Sequence, residues 1–436
     1  MKNPLNLHKW KVSNVQETKE DYRILAEYEE PPEYCEHCLS DKISRNGVRS
    51  ALFMDLPMHG KRVGIEVIRQ RYICNSCRKT FTQKLPDIDD KRDATKRLVK
   101  FIQEQSLRRT FASIADEVGV AENTVKNIFD EHIQRLEKSY LFETPIWLGI
   151  DEIHIIKKPR CVISDVRNRR IFDILINRNK PTVSKRIFQL DLKKVELVTM
   201  DMWSPYKDVA NSLLNHAPII IDKFHVLRMM NEVLEKIRKE IRKELPPKVR
   251  RKLVKDRFIL LTRHHKLDDF EKLILETWTN EFPKLAEIYW LKESFFAIYE
   301  SADKFEAKER YRNWLMDVPK NIEPYFESML KSLTNWEKEI FAYFDHNPRV
   351  TNAYTESLNN LIRHVNRNGR GYSFDALRAK LLYGTGAAKY RREVYQRRNW
   401  NPNIDILYSM IPKEDENYYL GSDISTLIEL YENGSL

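Results

Sequence analysis

Four of the chain's five cysteines fall in two Cys-x-x-Cys pairs, Cys35-Glu-His-Cys38 and Cys74-Asn-Ser-Cys77, and this spacing limits what the first ninety residues can become. Two thiolates two residues apart on a tight turn span one edge of a tetrahedron, and two such knuckles close it, which is the ligand set of a structural zinc ion. A redox pair is the competing use of a single Cys-x-x-Cys. Residues 1–15 are polar and carry no apolar signal core, so a disulfide framework is not expected. His37 lies inside the first knuckle and reads as a bystander. Cys161, alone in an apolar run, reads as a buried inert thiol. Between the knuckles, Ser50–Leu56 and Gly64–Ile73 predict a hairpin turning near Pro57–Gly60. Residues 1–90 are therefore expected to form a zinc-binding β module, closed by the metal where hydrophobic core is thin.

Residues 91–140 change to helical periodicity. Phe111 to Ile128 carries the pattern of a helix-turn-helix: Ala115 is small where two helices cross, Gly119 supplies the positive φ of the turn, and Val120, Val125 and Ile128 face inward. The second helix then presents Glu122, Asn123, Lys126 and Asn127 to a DNA groove. Ala121 stands where a Ser or Thr cap is usual. An ordinary helical hairpin is the alternative. Charge supports the DNA reading: 75 Lys and Arg against 64 Asp and Glu give +11, which favours a polyanionic partner.

With 436 residues, about two to four domains are expected. No run approaches the ~18 apolar residues of a membrane span, so no membrane partner is expected. No P-loop, GxGxxG or Ser-His-Asp constellation appears. Residues 141–228 read as βββαβαβ, a mixed sheet with packed helices. Residues 229–345 read as helical, basic at first and aromatic later, the aromatics at core spacing. Residues 346–400 return to helix, and 401–436 form an acidic tail.

Three carboxylates carry the chemical argument. Asp151 interrupts the apolar run Trp-Leu-Gly-Ile-Asp-Glu-Ile, and Asp201 ends Leu-Val-Thr-Met-Asp. Glu356, Asn360, Arg363 and Arg367 share one helix face, with Leu358, Leu361, Ile362 and Val365 elsewhere. Carboxylates in apolar strands are rarely buried unless paired or metal-bound. If the strands are neighbours, Asp151, Asp201 and Glu356 could hold two Mg²⁺ ions about 3.5–4 Å apart. The alternative has the two aspartates capping strand ends and Glu356 on a plain surface. Asp222 and His225, three apart after a buried strand, read as supporting groups near the metals rather than ligands. The alternative there is that Asp222 caps the next helix and His225 packs beneath it. Trp203, Pro205 and Tyr206 read as packing for the helix after Asp201, with shaping of a substrate groove as the alternative.

These residues carry a resemblance. Gly149-Ile-Asp151-Glu, Met200-Asp201-Met-Trp-Ser-Pro-Tyr206, Ile221-Asp222-Lys-Phe-His225-Val and Thr351-Asn352 through Glu356-Ser-Leu-Asn-Asn360 resemble the bacterial insertion-sequence transposases of the ISL3 family, of DDE type. The knuckles and the helix-turn-helix resemble that family too. The resemblance implies an α/β multidomain chain: an RNase H-like mixed-sheet core, with a large all-helical insertion between the second and third acids. It implies Asp151, Asp201 and Glu356 as catalytic metal ligands, Asp222, His225 and Asn360 as supporting groups, and Arg363 and Arg367 as DNA contacts. The implied cofactors are two Mg²⁺, replaceable by Mn²⁺, and structural Zn²⁺ on Cys35, Cys38, Cys74 and Cys77. The implied activity is cleavage and strand transfer at terminal inverted repeats, into target DNA, by a homodimer or higher synaptic complex in the bacterial cytoplasm at the nucleoid. The competing expectation is a non-catalytic DNA-binding regulator on a decayed nuclease core.

Overall fold

The computed structural model describes residues 4–139, 142–346, 349–350 and 353–385. The expected tail at 401–436, the arginines at 391–398 and the Thr351-Asn352 motif lie outside the described residues. The described residues divide into two units: 4–139 together with 367–385, and 142–366.

The first unit opens with five strands: β1 (Trp10–Glu17), β2 (Asp21–Tyr28), β3 (Ile43–Met58), β4 (Lys61–Cys74) and β5 (Thr80–Thr82). Their order is β1-β2-β4-β3, with β5 on β4. The expected hairpin is β3–β4, longer than the sequence suggested. It turns through His59 and Gly60, at φ 53° and 76°, the left-handed pair that a two-residue turn requires. Ile24, Val63, Ile65 and Val67 alternate inward to form the core. Three helices follow: α1 (Lys96–Ser106), α2 (Phe111–Val118) and α3 (Glu122–Ser139). Thr95 and Thr110 cap α1 and α2, and Gly119 ends α2 at φ 74°. The β module and the helices are joined through a buried acid. Asp55 of β3, 1% exposed, accepts from Thr95 Oγ1 at 2.6 Å and from Arg97 Nε at 2.8 Å.

The second unit has the expected βββαβαβ order. Its elements are β6 (Trp147–Ile155), β7 (Lys158–Asp165), β8 (Arg170–Leu175), α4 (Lys180–Phe188), β9 (Leu197–Met200), α5 (Ser204–Leu213) and β10 (Ile219–Ile221). β6, β7 and β8 form an antiparallel meander, and β9 and β10 add in parallel, giving the order β10-β9-β6-β7-β8 of an RNase H-like sheet. Eight helices then form the insertion: α6 (Lys223–Glu244), α7 (Pro247–Lys255), α8 (Arg257–Leu261), α9 (Asp269–Glu281), α10 (Pro283–Ile298), α11 (Lys304–Asp317), α12 (Glu323–Asn335) and α13 (Glu337–Phe341). Trp278, Tyr289, Phe295, Tyr311 and Trp314 are buried there, so these aromatics are core, while Phe270 and Trp290 are exposed. α14 (Ala353–Asn368) follows the insertion, and α15 (Phe374–Ala379) comes next. Residues 367–385 were expected to stay with the catalytic core. They pack in the first unit instead, where the buried Lys380 and the half-buried Tyr372 contact the segment joining α1 and α2.

The four knuckle sulfurs lie within 4.8 Å of one another, with Cys35–Cys77 at 3.7 Å and Cys38–Cys74 at 3.5 Å. A disulfide would need about 2.05 Å. A tetrahedron of Zn–S bonds near 2.3 Å places its sulfurs about 3.8 Å apart. The knuckles repeat one backbone design. Leu39 N–H donates to Cys35 O and Arg78 N–H to Cys74 O, each at 2.9 Å, with Leu39 and Arg78 both left-handed. His37 stacks edge-on to Phe81 and is not part of the sulfur group. Purified protein should contain about one zinc per chain, and Cys74→Ser should remove it and lower the melting temperature. Elemental analysis finding a folded, zinc-free wild type would overturn this assignment.

Candidate active site

Strand register builds the site. Ile150 pairs with Met200, and Met200 with Ile221, across three adjacent parallel strands. The next residue on each strand is acidic: Asp151, Asp201 and Asp222. The three acids therefore line up at one edge of the sheet. Asp151 is only 6% exposed. Asp222 caps α6, accepting from Phe224 N–H at 3.4 Å. That cap turns the first turn of α6 back towards the sheet, and His225 Nε2 comes to 2.8 Å from Asp201 Oδ1. Both readings of the Asp222–His225 pair thus describe part of the truth: the aspartate is a cap, and the histidine reaches the acids.

Gly149 admits α14 to this edge. A Cβ there would overlap Ser164 Oγ and come to 3.2 Å from Thr355 Oγ1, and those two hydroxyls share a hydrogen bond at 3.0 Å. One turn on from Thr355, Asn359 is buried and its Nδ2 donates to Asp151 Oδ2 at 2.7 Å. Among the described residues, ligand atoms of Asp151, Asp201 and His225 lie within 4.8 Å of one another. Glu356 stands outside that group. It is exposed, about 60° around α14 from Asn359. Asn360 is also exposed and accepts from Arg363 Nη1 at 3.1 Å, so the asparagine that reaches Asp151 is its neighbour, Asn359. Arg363 and Arg367 are exposed on the flank that carries Glu356. Asn359 was missed. Its signal was the i, i+4 spacing of polar Thr355 and Asn359 beside buried Leu358 and Ile362.

Burial, then the charge of Asp201, push the Asp151 carboxyl up to about 9. Burial alone would lower His225, but its bond to Asp201 and the surrounding acids outweigh that and raise it to about 9. Both shifts favour proton retention where Asp151, Asp201 and His225 meet. Tyr206 is buried, with its hydroxyl 3.5 Å from Asp151 O, and Trp203 stacks edge-on upon it at 4.5 Å. Burial pushes the Cys161 thiol up to about 12, which leaves it inert. Glu152 points to the other face, where it pairs with Arg178. In the first unit, Glu122, Asn123, Lys126 and Asn127 are all exposed at the start of α3.

The chain thus combines an RNase H-like sheet that brings aspartates together with a helix-turn-helix and a four-cysteine centre. Comparison with family models agrees in all three parts. Residues 148–381 match the ISL3-type DDE transposase domain, residues 83–133 the helix-turn-helix domain of transposase family ISL3, and residues 31–77 the zinc-finger of transposase IS204/IS1001/IS1096/IS1165. The first match covers more than half of the chain, which belongs to the ISL3 transposase family. No curated protein matches it. No helix among the described residues is long and apolar enough to cross a membrane.

The two perturbed groups act on stability with the same sign. Asp151 holds in the folded state, up to about pH 9, a proton that it gives up near 3.8 when unfolded. His225 likewise keeps its proton past its ordinary 6.5. Stability from both is present at low pH and lost as pH rises towards 9. In magnesium-free buffer the melting temperature should fall between pH 5 and 9. Asp151→Asn should flatten that slope and melt above wild type at pH 8. An unchanged slope by differential scanning calorimetry would show that Asp151 is not under this strain.

Proposed function

We propose that this transposase cuts and joins DNA at the terminal inverted repeats of its own element, using Mg²⁺ held by Asp151, Asp201 and Glu356. The observation that carries the reading is the burial of Asp151 against Asp201, two hard oxygen donors on adjacent strands whose mutual repulsion a divalent cation would relieve. That donor set fits Mg²⁺, with Mn²⁺ as a substitute. Glu356, on the exposed flank of α14, completes the set by a side-chain movement. A bound metal pair would supply polarisation of the attacking oxygen and charge neutralisation at the leaving oxygen.

The chain's own groups do the positioning. Asn359 holds the Asp151 carboxylate in one rotamer. His225 holds Asp201 and offsets the negative charge at the sheet edge. Arg363 and Arg367, on the flank shared with Glu356, hold phosphates beside the scissile bond, with the salt dependence of any backbone contact. The exposed start of α3 reads base edges within the repeat. Cleavage breaks a P–O3′ bond with water as nucleophile. Transfer repeats the in-line displacement, with the freed 3′-hydroxyl attacking a target phosphorus and releasing the target's own 3′-oxygen. One set of acids thus serves both steps. Joining two ends requires a homodimer or a larger synaptic assembly.

Purified wild type should nick duplexes carrying the element ends in Mg²⁺. Asp201→Ala should lose about a thousandfold or more in rate while binding the same DNA unchanged. Glu356→Gln should lose activity comparably, and Asn360→Ala should cost far less than Asn359→Ala. Equal nicking by wild type and Asp201→Ala in gel assays would remove the mechanism.

A further inference from the structure

We propose that the loop Asn368–Ser373 is a wing of the helix-turn-helix, and that its Arg370 grips the DNA backbone beside the base pairs α3 reads. The proposal rests on the reading of α3 as the DNA-reading helix and adds a second element to that surface.

The segment that carries the loop is built into the first unit. Lys380, 2% exposed, donates from Nζ to the carbonyls of Ser106 and Arg109, the latter at 2.8 Å. Its ammonium sits 4.7 Å from the ring centres of Phe111 and Tyr372, and 5.2 Å from that of Phe129. The carbonyls and ring faces partner the Lys380 amine, and burial lowers it to about 7. Arg378 pairs with Glu137 of α3 at 3.2 Å. Ser373 caps α15, accepting from Ala376 N–H at 3.2 Å, and the Tyr372 hydroxyl donates to Arg109 O at 3.5 Å. The loop is therefore anchored against the helices whose surface it borders.

Between loop and helices lies a cavity of about 670 Å³. Thr110, Glu122 and Lys126 form one wall, and Gly369, Arg370 and Tyr372 the other. Glu122 and Lys126 are two of the four exposed residues that begin α3. Arg370 is exposed at φ 48°, next to Gly371 at φ 128°, a conformation only glycine adopts readily. The backbone thus turns sharply at Arg370, and Arg370 and Lys126 both line the cavity. Arg367, one turn earlier, is also exposed. Exposed cations beside a helix that would enter a groove suit a duplex, whose phosphates flank the bases being read.

The test uses the full chain, duplexes tiled across the DNA that flanks its gene, and a random duplex of equal length. Arg370→Gly removes the charge while easing the left-handed backbone, so folding, followed by melting temperature, should hold. It should weaken binding to the preferred and the random duplex by the same factor, about three- to tenfold, and reduce the slope of log K against log salt by about 0.9. Lys126→Ala should instead cost the preferred duplex more than the random one. Unchanged affinity and slope for Arg370→Gly, with discrimination lost in Lys126→Ala, would overturn the wing and leave the reading of α3 standing. A wild type that prefers no flanking duplex would overturn the reading of α3, and the wing with it.

Discussion

Like-charge crowding at one sheet edge governs the catalytic unit. Parallel register brings Ile150, Met200 and Ile221 into line, so the acids that follow them arrive side by side. Packing two aspartates this closely, one of them buried, opposes folding. The surrounding structure offsets it in three ways. His225 pairs with Asp201, Asn359 donates to Asp151, and Asp222 accepts from the Phe224 amide in the first turn of α6. These groups come from α6 with its cap and from α14, so the site exists only when β6, β9, α6 and α14 are all in place.

The first unit relies on different forces. Its β sheet has a modest apolar core, and the knuckle cysteines lie at one end, where Tyr72, Phe81 and the sulfurs are most of what packs together. At the other end, charge buried in hydrogen bonds joins the parts: Asp55 to Thr95 and Arg97, and Lys380 to the carbonyls that end α1. Removing one partner of these buried groups leaves the other unpaired, which is costly. They hold the helix-turn-helix to the sheet before it and to the segment after α14.

Gly149 shows how a small residue can position chemistry without taking part in it. A helix seated on a strand by hydroxyl contact, Ser164 to Thr355, lies closer than one held apart by larger side chains. That closeness lets an asparagine side chain reach Asp151. The same helix carries Glu356 on its exposed flank.

Much of this was legible in the linear chain. Cysteine spacing, the Gly119 turn, the apolar runs of β6, β9 and β10 and the helical block after them are local patterns, and local patterns survive without knowledge of partners. The sequence by itself determined the order of modules, the strand-borne Asp151 and Asp201, and the shared face of Glu356, Asn360, Arg363 and Arg367. Only the tertiary structure decided that Asn359, and not Asn360, touches Asp151, that His225 reaches Asp201, and that residues 367–385 belong with the helix-turn-helix. Those outcomes depend on a helix's rotation and depth against a sheet, and on which distant surface a buried lysine finds. Neither is encoded in spacing along the chain, because both are set by contacts between residues 208 and 271 positions apart.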